Sequence, residues 1–361
     1  MSSSESEALE GIVDVQGLRT LSNWCGYLGC DPYAKLLAGL AATIDNEKAS
    51  SSLMRLLEVA VRSCGEYWPL SLLAAVHARV LSGQAPGLAS YYPSVGGTSA
   101  DYSAATDQFI SLCNEEPDAL MTHAQRVPQT NDVRRCIPLA AGYMYAGAHA
   151  SLPLRILEVG ASAGLNLLWD QYYYDFGTFQ WGSPASEVRL RAGWEGNRNV
   201  WAESVTVLER LGCDVCPVDV FNEDGWLRLR SYVWPNDLSR LNSLDAAVAV
   251  RRLDNGVVVE NGSASSWLAA QLQEPRPGLA TVVVHSAVTP YLSESERVEM
   301  TRAIDATGAL ASVDAPLIHL SFEDRPDRPA IAELRATMYP GGKDLLLATV
   351  HRGHESVRWL M

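Results

Sequence analysis

The chain lacks the features that define several large classes of protein. It has no apolar run of membrane-spanning length, and its start, Met1-Ser2-Ser3-Ser4-Glu5-Ser6-Glu7, lacks the basic residues and apolar core of a secretion signal. Positive charge is also scarce, because 28 Lys and Arg face 42 Asp and Glu, for a net charge of −14. That balance repels phosphate backbones and anionic lipid. We therefore expect a cytoplasmic protein that binds no nucleic acid or membrane and acts on a small neutral or cationic molecule.

Cysteine is sparse and shows no pairing pattern. The seven cysteines are scattered and odd in number in a chain without an export signal, which indicates reduced thiols. The segment Cys213-Asp214-Val215-Cys216 has no second pair to complete a zinc site. In His351-Arg352-Gly353-His354-Glu355, a glycine interrupts the helix that a His-Glu-x-x-His zinc site requires. We therefore predict no metal.

The first 150 residues show helical spacing, which predicts a helical cap domain over 1–150. Asp31-Pro32 combines an N-cap with a proline at the first helical position, and Gly65 and Gly83 follow two further apolar stripes as stop signals. His77 lies in one of these stripes and is expected to be a satisfied core residue. The aromatic and glycine-rich loop over 84–101 either reaches over a pocket or packs on the surface.

From Leu154 onward, apolar strand-like runs alternate with helical patterns. Such alternation predicts an α/β domain over 151–361, with a mostly parallel sheet and helices on both faces. The strands are expected at Leu154–Val159, Val188–Arg191, Val215–Val220, Val257–Glu260, Thr281–Val284, Leu317–Phe322, Leu345–Val350 and Val357–Leu360. The helices are expected at Leu165–Tyr174, Val200–Leu211, Trp226–Val233, Leu238–Leu253, Ser265–Leu272 and Glu294–Ala306.

A loop after the first of these strands is the most informative segment. It reads Glu158-x-Gly160-x-Ser162-x-Gly164, which is closer to the E-x-G-x-G-x-G loop of S-adenosylmethionine-dependent methyltransferases than to the G-x-G-x-x-G of dinucleotide sites. A helix starting after it would point amide hydrogens and the positive end of its dipole at a ligand. A compact strand-to-helix turn without a ligand is the alternative.

Ligands of open α/β sheets bind beyond the carboxyl ends of the strands, and polar residues there form the candidate site. They are Glu158, Gly160, Ser162, Gly164, Asn166, Asp219, Ser263, His285, Ser286, Glu323 and Asp324. His285 has an intrinsic pKa suited to general-base work, or else caps the end of its strand through a hydrogen bond. Glu323 and Asp324 bind a substrate amine or take a proton, or else form a surface ion-pair cluster with Arg325.

Short motifs spread along most of the chain carry a family resemblance. They are Tyr91-Tyr92-Pro93-Ser94 with Gly96-Gly97, Gln129-Thr130-Asn131 with Val133 and Arg135, Glu158 to Leu167, Asp170 with Tyr172 and Tyr174, Trp181-Gly182, Pro217-Val218-Asp219, Val233-Trp234-Pro235, and His285-Ser286 with Tyr291. Through them the chain resembles the bacterial proteins grouped as DUF2332, an uncharacterised family related in fold to methyltransferases. The resemblance implies a doubly wound, Rossmann-like sheet of methyltransferase type with an N-terminal all-helical domain.

The strand-end positions and the resemblance together lead us to assign roles to individual residues. S-adenosylmethionine, if a cofactor is used, would be held by Glu158, Gly160, Ser162, Gly164, Asn166, Asp219 and Ser263. The catalytic residues would be His285, Glu323 and Asp324. The substrate would contact Tyr91, Tyr92, Asn131, Arg135, Tyr172, Ser286 and Tyr291.

Two departures from the methyltransferase pattern bear on the cofactor. Gly262-Ser263-Ala264 stands where similar proteins have Gly-Asp-Ala, and the expected second strand, Val188–Arg191, ends in a base instead of a ribose-binding carboxylate. We expect a small-molecule tailoring enzyme for nucleophilic substitution at a saturated carbon, by default methyl transfer from S-adenosylmethionine. One alternative is a cofactor-independent intramolecular displacement that closes a small ring in secondary metabolism and expels an anionic leaving group. The other is a non-catalytic scaffold that partners a second subunit.

Overall fold

The computed structural model describes residues 13–197, 204–325, 327–351 and 356–361. These residues divide into two compact units. The first contains the described residues up to Thr130 together with Phe221–Asn242, and the second contains those of Asn131–Val220 and Ser243–Met361. None of the helices described is long and apolar enough to cross a membrane.

Helices make up the first unit and flank the sheet of the second. In chain order they are α1 (Val15–Tyr27), α2 (Asp31–Asp45), α3 (Ser51–Cys64), α4 (Trp68–Leu81), α5 (Pro86–Ala89), α6 (Tyr102–Glu115), α7 (Pro117–Ala124), α8 (Cys136–Ala150), α9 (Glu223–Ser231), α10 (Leu238–Leu253), α11 (Ala264–Gln271) and α12 (Glu294–Gly308). Short 3₁₀ helices cover Gly65–Tyr67, Pro93–Val95, Val133–Arg135, Asn166–Gln171 and Thr289–Tyr291.

The helix boundaries in the first unit follow the capping signals in the sequence. The Ser50 hydroxyl accepts a hydrogen bond from the Leu53 N–H at 3.1 Å and starts α3, which ends at Gly65 with φ of 55°. Leu53, Leu56 and Leu57 lie three or four residues apart and are fully buried. The helix predicted at Asp31-Pro32 is confirmed, but the expected N-cap role of Asp31 is wrong, because Cys30 is the N-cap and Asp31 is the first helical residue.

The second unit is built on a large, mostly parallel sheet. The strands are β1 (Leu154–Val159), β2 (Tyr173–Asp175), β3 (Gln180–Gly182), β4 (Arg189–Arg191), β5 (Gly193–Glu195), β6 (Val207–Asp214), β7 (Val257–Asn261), β8 (Ala280–Ser286), β9 (Leu317–Arg325), β10 (Arg328–Tyr339), β11 (Lys343–His351) and β12 (Ser356–Trp359). Nine of them form one sheet in the order β5-β12-β11-β10-β9-β8-β1-β6-β7, and β3-β2-β4 form a second.

The strand order reverses at β1, and this reversal positions the candidate site. β1 pairs in parallel with β6 on one side and with β8 on the other, β7 lies outside β6, and β9 lies outside β8. The chain therefore runs from β1 to one edge of the sheet and then returns to the far side of β1. In open α/β sheets such a reversal leaves a crevice at the carboxyl ends of the strands.

Helix α8 covers the face of the sheet that carries Leu320 and Leu334. A Cβ at Gly142 would touch both leucine side chains, which shows how closely the helix approaches the strands. Nearly every residue of α8 is buried, as expected for a helix that is apolar all round. The helix accordingly belongs to the second unit, which begins at Asn131.

Two predictions around the glycine loop are wrong. The expected helix over Leu165–Tyr174 is a 3₁₀ helix over Asn166–Gln171 that leads directly into β2. The Tyr172 and Tyr174 hydroxyls donate to the carbonyls of Leu165 and Trp169, at 2.6 and 2.7 Å, and these carbonyls are acceptors that a continuing α-helix would use. The expected second strand of the main sheet, Val188–Arg191, instead contributes β4 to the small sheet.

Three further elements differ from the sequence prediction. In the segment expected to be a helix over Val200–Leu211, the residues from Val207 onward lie in β6, while 198–203 lie outside the described residues. The strand expected over Val215–Val220 is a loop, because β6 ends at Asp214. β10 was not predicted. It follows β9 as one arm of an antiparallel hairpin and pairs with β11 on its other side.

Candidate functional site

A buried carboxyl group, that of Glu158, lies at the carboxyl end of β1. Its residue is 2% exposed, and Oε2 has no hydrogen-bond partner among the residues that the structure describes. Burial raises the pKa of Glu158 to about 8, against the opposing effects of the Arg135 charge and a hydrogen bond with Asn166. A carboxyl group with such a pKa changes protonation near neutral pH, a property typical of functional sites.

Arg135 and Ser286 lie on the same face of the sheet as Glu158. Glu158 pairs with Val284 of β8, and Ser286 follows Val284 two residues later. Alternation along the strand therefore gives the Glu158 and Ser286 side chains the same face. Arg135 ends the 3₁₀ helix before α8, and its Nη1 donates to the Ser286 carbonyl at 2.7 Å. The structure therefore brings together three residues that the sequence assigned to the site.

The amide hydrogens of the glycine loop are bonded to acceptors within the protein. Gly160 and Ala161 donate to the Cys213 carbonyl (2.9 and 3.0 Å), Ser162 to Asp214 Oδ2 (3.0 Å), Gly164 to the Ala161 carbonyl (2.7 Å), and Ala163 and Leu165 to Asn131 Oδ1 (3.2 and 3.3 Å). The expectation that these amides point at a ligand is therefore wrong. No α-helix starts here either, so the expected helix dipole is missing from this loop.

The glycines of the loop are required by packing against neighbouring strands and loops. Gly160 and Gly164 have φ of +71° and +75°, a region that only glycine adopts readily. A Cβ on Gly160 would overlap the Val288 side chain, and one on Gly164 would overlap Val257. The space that a cofactor would need next to Gly160 and Gly164 is therefore filled by valine side chains of the protein.

Ser162 is the strained residue of this loop. It is not glycine, yet its φ is +55°, and it is 4% exposed. The segment Gly160 to Gly164 also fits the G-x-S-x-G pattern of serine-hydrolase elbows, in which a histidine base contacts the serine. Within the described part of the chain the Ser162 Oγ has no hydrogen-bond partner, so no base there contacts it. Backbone strain of this kind clusters at functional sites.

Asp214 is a site residue that the sequence analysis missed. It ends β6, the strand next to β1, where a methyltransferase carries its ribose-binding acid. The statement that the second strand ends in a base is thus wrong, because the strand was placed at Val188–Arg191. Asp214 accepts hydrogen bonds from the backbone N–H groups of Ser162 and Cys216, at 3.0 and 2.8 Å. Its carboxylate therefore stabilises the glycine loop.

His285 and Glu323 form a separate cluster on the opposite face of the sheet from Glu158. His285 Nδ1 lies 2.6 Å from Glu323 Oε1, and Nε2 lies 3.1 Å from His319 Nε2. Glu323 also accepts hydrogen bonds from the Val288 N–H and the Thr289 hydroxyl, at 3.1 and 2.9 Å. Both nitrogens of His285 are therefore engaged, and the pair holds the turn that follows β8.

The pKa values in this cluster follow from burial and pairing. Burial acts to raise the pKa of Glu323, but the hydrogen bond and charge of His285, with those of Val288 and Thr289, lower it below its ordinary value. Burial and the neighbouring His285 lower the pKa of His319 to about 3. His319 is therefore neutral at pH 7, and Glu323 is ionised. The catalytic role assigned to His285 and Glu323 stays a prediction.

The remaining predicted site residues are exposed, take part in other contacts, or belong to the first unit. Asp219, Asp324 and Tyr291 are exposed. Ser263 Oγ lies 2.7 Å from Ser266 Oγ, and Tyr172 is buried with its hydroxyl donating to the Leu165 carbonyl. Tyr91 and Tyr92 belong to the first unit. Within the described ranges no group of three or more His, Cys, Asp or Glu side chains is arranged to hold a metal ion. His354 and Glu355 lie outside them.

The geometry defines an α/β protein with a buried carboxyl group where its strand order reverses. The chain belongs to the family DUF2332, described as an uncharacterized protein conserved in bacteria, whose model matches residues 15–359. No curated protein and no solved structure matches the chain.

The residues assigned to S-adenosylmethionine do not fit that cofactor. The loop amides are bonded within the chain, and valine side chains occupy the space in front of Gly160 and Gly164. Asp214, in the position of a ribose acid, is held by two backbone N–H groups, and Ser263 is paired with a neighbouring serine. Glu158 Oε2 and Ser162 Oγ are the buried atoms of this region left without partners among the described residues.

Proposed function

We propose that the protein is a cytoplasmic enzyme that transfers a proton through Glu158 during nucleophilic substitution on a small molecule. The observation that supports this proposal is the buried, unpartnered Oε2 of Glu158, with a pKa of about 8. General acids and bases work best with a pKa near the operating pH. Glu158 satisfies this condition without a cofactor.

The proposed reaction assigns a role to each group around Glu158. An amine or hydroxyl of the substrate attacks a saturated carbon of the same molecule, its proton passes to Glu158, and the bond to the leaving group breaks. The positive charge of Arg135 favours the ionised form of Glu158 and so prepares it to accept that proton. A neutral or cationic substrate is compatible with the net charge of −14.

The fold supports a methyltransferase-type ancestry for this chemistry. Strands β7-β6-β1-β8-β9 run in parallel with the reversal at β1, and an acid ends β6. On this basis we propose a Rossmann-like sheet and a separate N-terminal helical domain. Because the cofactor residues do not fit, we favour the cofactor-independent displacement that closes a small ring, with an anionic group expelled.

Ligand-dependent thermal shifts test this proposal. S-adenosylmethionine and S-adenosylhomocysteine at 1 mM should leave the melting temperature unchanged, since a ligand that binds the folded state raises it by mass action. A panel of small amines that carry a sulfate or phosphate leaving group should include stabilising members, and those members should release the free anion on incubation.

The variants Glu158→Gln and Glu66→Gln separate catalysis from binding. Glu66 is exposed, so its variant is a matched control for loss of one negative charge. We expect anion release to fall about 100-fold or more in Glu158→Gln and to remain unchanged in Glu66→Gln. Equal rates in the wild type and Glu158→Gln would refute the role of Glu158, and stabilisation by S-adenosylmethionine would refute the cofactor-independent reaction.

A further inference from the structure

A serine and a histidine meet inside the helical first unit. His77 lies in the middle of α4 and is fully buried, and its Nε2 is 2.8 Å from the hydroxyl of Ser94. Ser94 belongs to the 3₁₀ helix Pro93–Val95, within the Tyr91-Tyr92-Pro93-Ser94 motif. Neither residue takes part in the function proposed above.

The second ring nitrogen fixes which tautomer His77 adopts. Nδ1 lies 3.1 Å from the backbone carbonyl of Ser231 in α9, and a carbonyl oxygen only accepts hydrogen bonds. Nδ1 therefore carries the hydrogen, and Nε2 presents its lone pair to the Ser94 hydroxyl. Burial lowers the pKa of His77 to about 4, so the imidazole is neutral at pH 7 and Nε2 keeps its lone pair for the Ser94 hydroxyl.

These contacts connect a nucleophile, a base and an orienting acceptor through two hydrogen bonds of His77. A serine is activated where an imidazole accepts its proton and a third group holds the imidazole in the correct tautomer. Here the Ser231 carbonyl takes the orienting place. Ser162, which fits the G-x-S-x-G sequence pattern, lacks such a base, whereas Ser94 has one without the pattern.

The Ser94 side of this arrangement lies near the surface. Ser94 is partly exposed, the following Val95 is 40% exposed, and a Cβ placed on Gly96 would meet nothing within 4 Å. Gly96 adopts φ of +86° and turns the chain directly after the serine. A small electrophile therefore has room to approach the serine from the loop side while His77 stays buried behind it.

We propose that Ser94 is a nucleophile activated by His77 and that it accepts acyl groups from small esters. Ser94 Oγ bonds to the ester carbonyl carbon as its proton moves to His77 Nε2, and the alcohol leaves with that proton. Water then attacks the acyl-serine, its proton passes through His77 back to Ser94 Oγ, and the carboxylic acid is released. The net reaction consumes one ester and one water.

Labelling of the full-length chain with a fluorophosphonate probe tests this proposal. Intact mass should show one adduct, peptide mapping should place it on Ser94, and the protein should hydrolyse p-nitrophenyl acetate with a burst of about one equivalent. Ser94→Ala should abolish both signals. Ser90→Ala, at an exposed serine of the same loop, should leave both unchanged.

The variant His77→Gln distinguishes a base from a structural anchor. Glutamine can retain hydrogen bonds but cannot accept the proton, so we expect labelling to slow about 100-fold or more. Circular dichroism and the melting temperature establish that the variant is folded. No adduct on wild-type Ser94, or wild-type labelling rates in folded His77→Gln, would overturn the proposal. If His77→Gln does not fold, the Ser94 adduct and its loss in Ser94→Ala decide the matter.

Discussion

The substitution Gly160→Ala tests whether the glycine loop is shaped by packing within the protein. Two costs add at this position. A left-handed backbone conformation, with φ of +71°, costs a residue that has a Cβ about 1–2 kcal/mol. Overlap of the new methyl group with Val288 adds an overpacking cost of about 1–3 kcal/mol. We expect the free energy of unfolding to fall by about 2–5 kcal/mol.

Two further variants separate these costs. Gly278 has φ of +82°, and nothing lies within 4 Å of its Cβ position, so Gly278→Ala should lose only the backbone contribution of about 1–2 kcal/mol. In the double variant Gly160→Ala with Val288→Ala, the overlap disappears. The double-mutant cycle should therefore give a coupling of about 1–3 kcal/mol between residues 160 and 288.

Urea unfolding followed by tryptophan fluorescence and circular dichroism is measured on five proteins: the wild type, the single variants Gly160→Ala, Gly278→Ala and Val288→Ala, and the double variant. If the loop is shaped for a ligand, Gly160→Ala should resemble Gly278→Ala in stability, and truncation of Val288 should bring no relief. Either result would refute the packing explanation. The space next to Gly160 would then again be a candidate binding site for a cofactor.

Three predictions concern polar groups near the ends of the strands. Because the pKa of folded Glu158 is about 8 and its ordinary value is 4.5, the unfolded chain ionises first as pH rises. Glu158→Gln should therefore gain stability relative to the wild type between about pH 4.5 and 8, by up to about 1.4 kcal/mol per pH unit, in urea titrations at fixed pH. Asn131→Ala removes the acceptor of two buried N–H groups and should cost about 1–3 kcal/mol for each, whereas Asn131→Asp, which keeps Oδ1, should lose less on the same assay. Glu323, with its lowered pKa, stabilises the fold above about pH 4.5 and loses this effect as pH falls through the folded value. Glu323→Gln should therefore be destabilised at pH 7, and the difference in stability from the wild type should narrow as pH falls below about 4.5; a constant difference would contradict its pairing with His285.

The sequence predicts elements well where the apolar pattern and the end signals agree. The buried run of β1 and the capped helices of the first unit are examples, because local residues determine them. In β6, Leu208 and Leu211 fit helical spacing, yet Leu208 is 61% exposed on a strand between β1 and β7. Tertiary pairing overrode local spacing there.

β10 shows how composition can conceal a strand. Its residues include alanine, glutamate, leucine and arginine, which favour helices. Ala332, Leu334 and Ala336 are nonetheless buried in alternation with the more polar Glu333 and Arg335. The sequence of β10 therefore combines a strand-like period of two with a composition typical of helices.

The candidate site was predicted in its location but not in its contacts. The expectation that polar residues gather at the strand ends led to Glu158 and Ser286, and the family resemblance led to Arg135. The partners that occupy the glycine loop, Val288 and Asn131, lie far from it along the chain and carry no local signal. A glycine that makes room for a ligand and one that makes room for a valine look alike in a sequence.

The hydrogen bonds of Asn131 have a consequence for dissecting the protein into fragments. Asn131 closes the loop at Ala163 and Leu165, and α8, which follows it, covers apolar side chains of the sheet. An expressed α/β fragment that starts after α8 would lose the hydrogen bonds of Asn131 and would expose an apolar face of the sheet to solvent. Exposed apolar patches promote aggregation, so we expect this fragment to form inclusion bodies. A truncation intended to preserve Glu158 in its native surroundings has to retain the polypeptide from Asn131 onward.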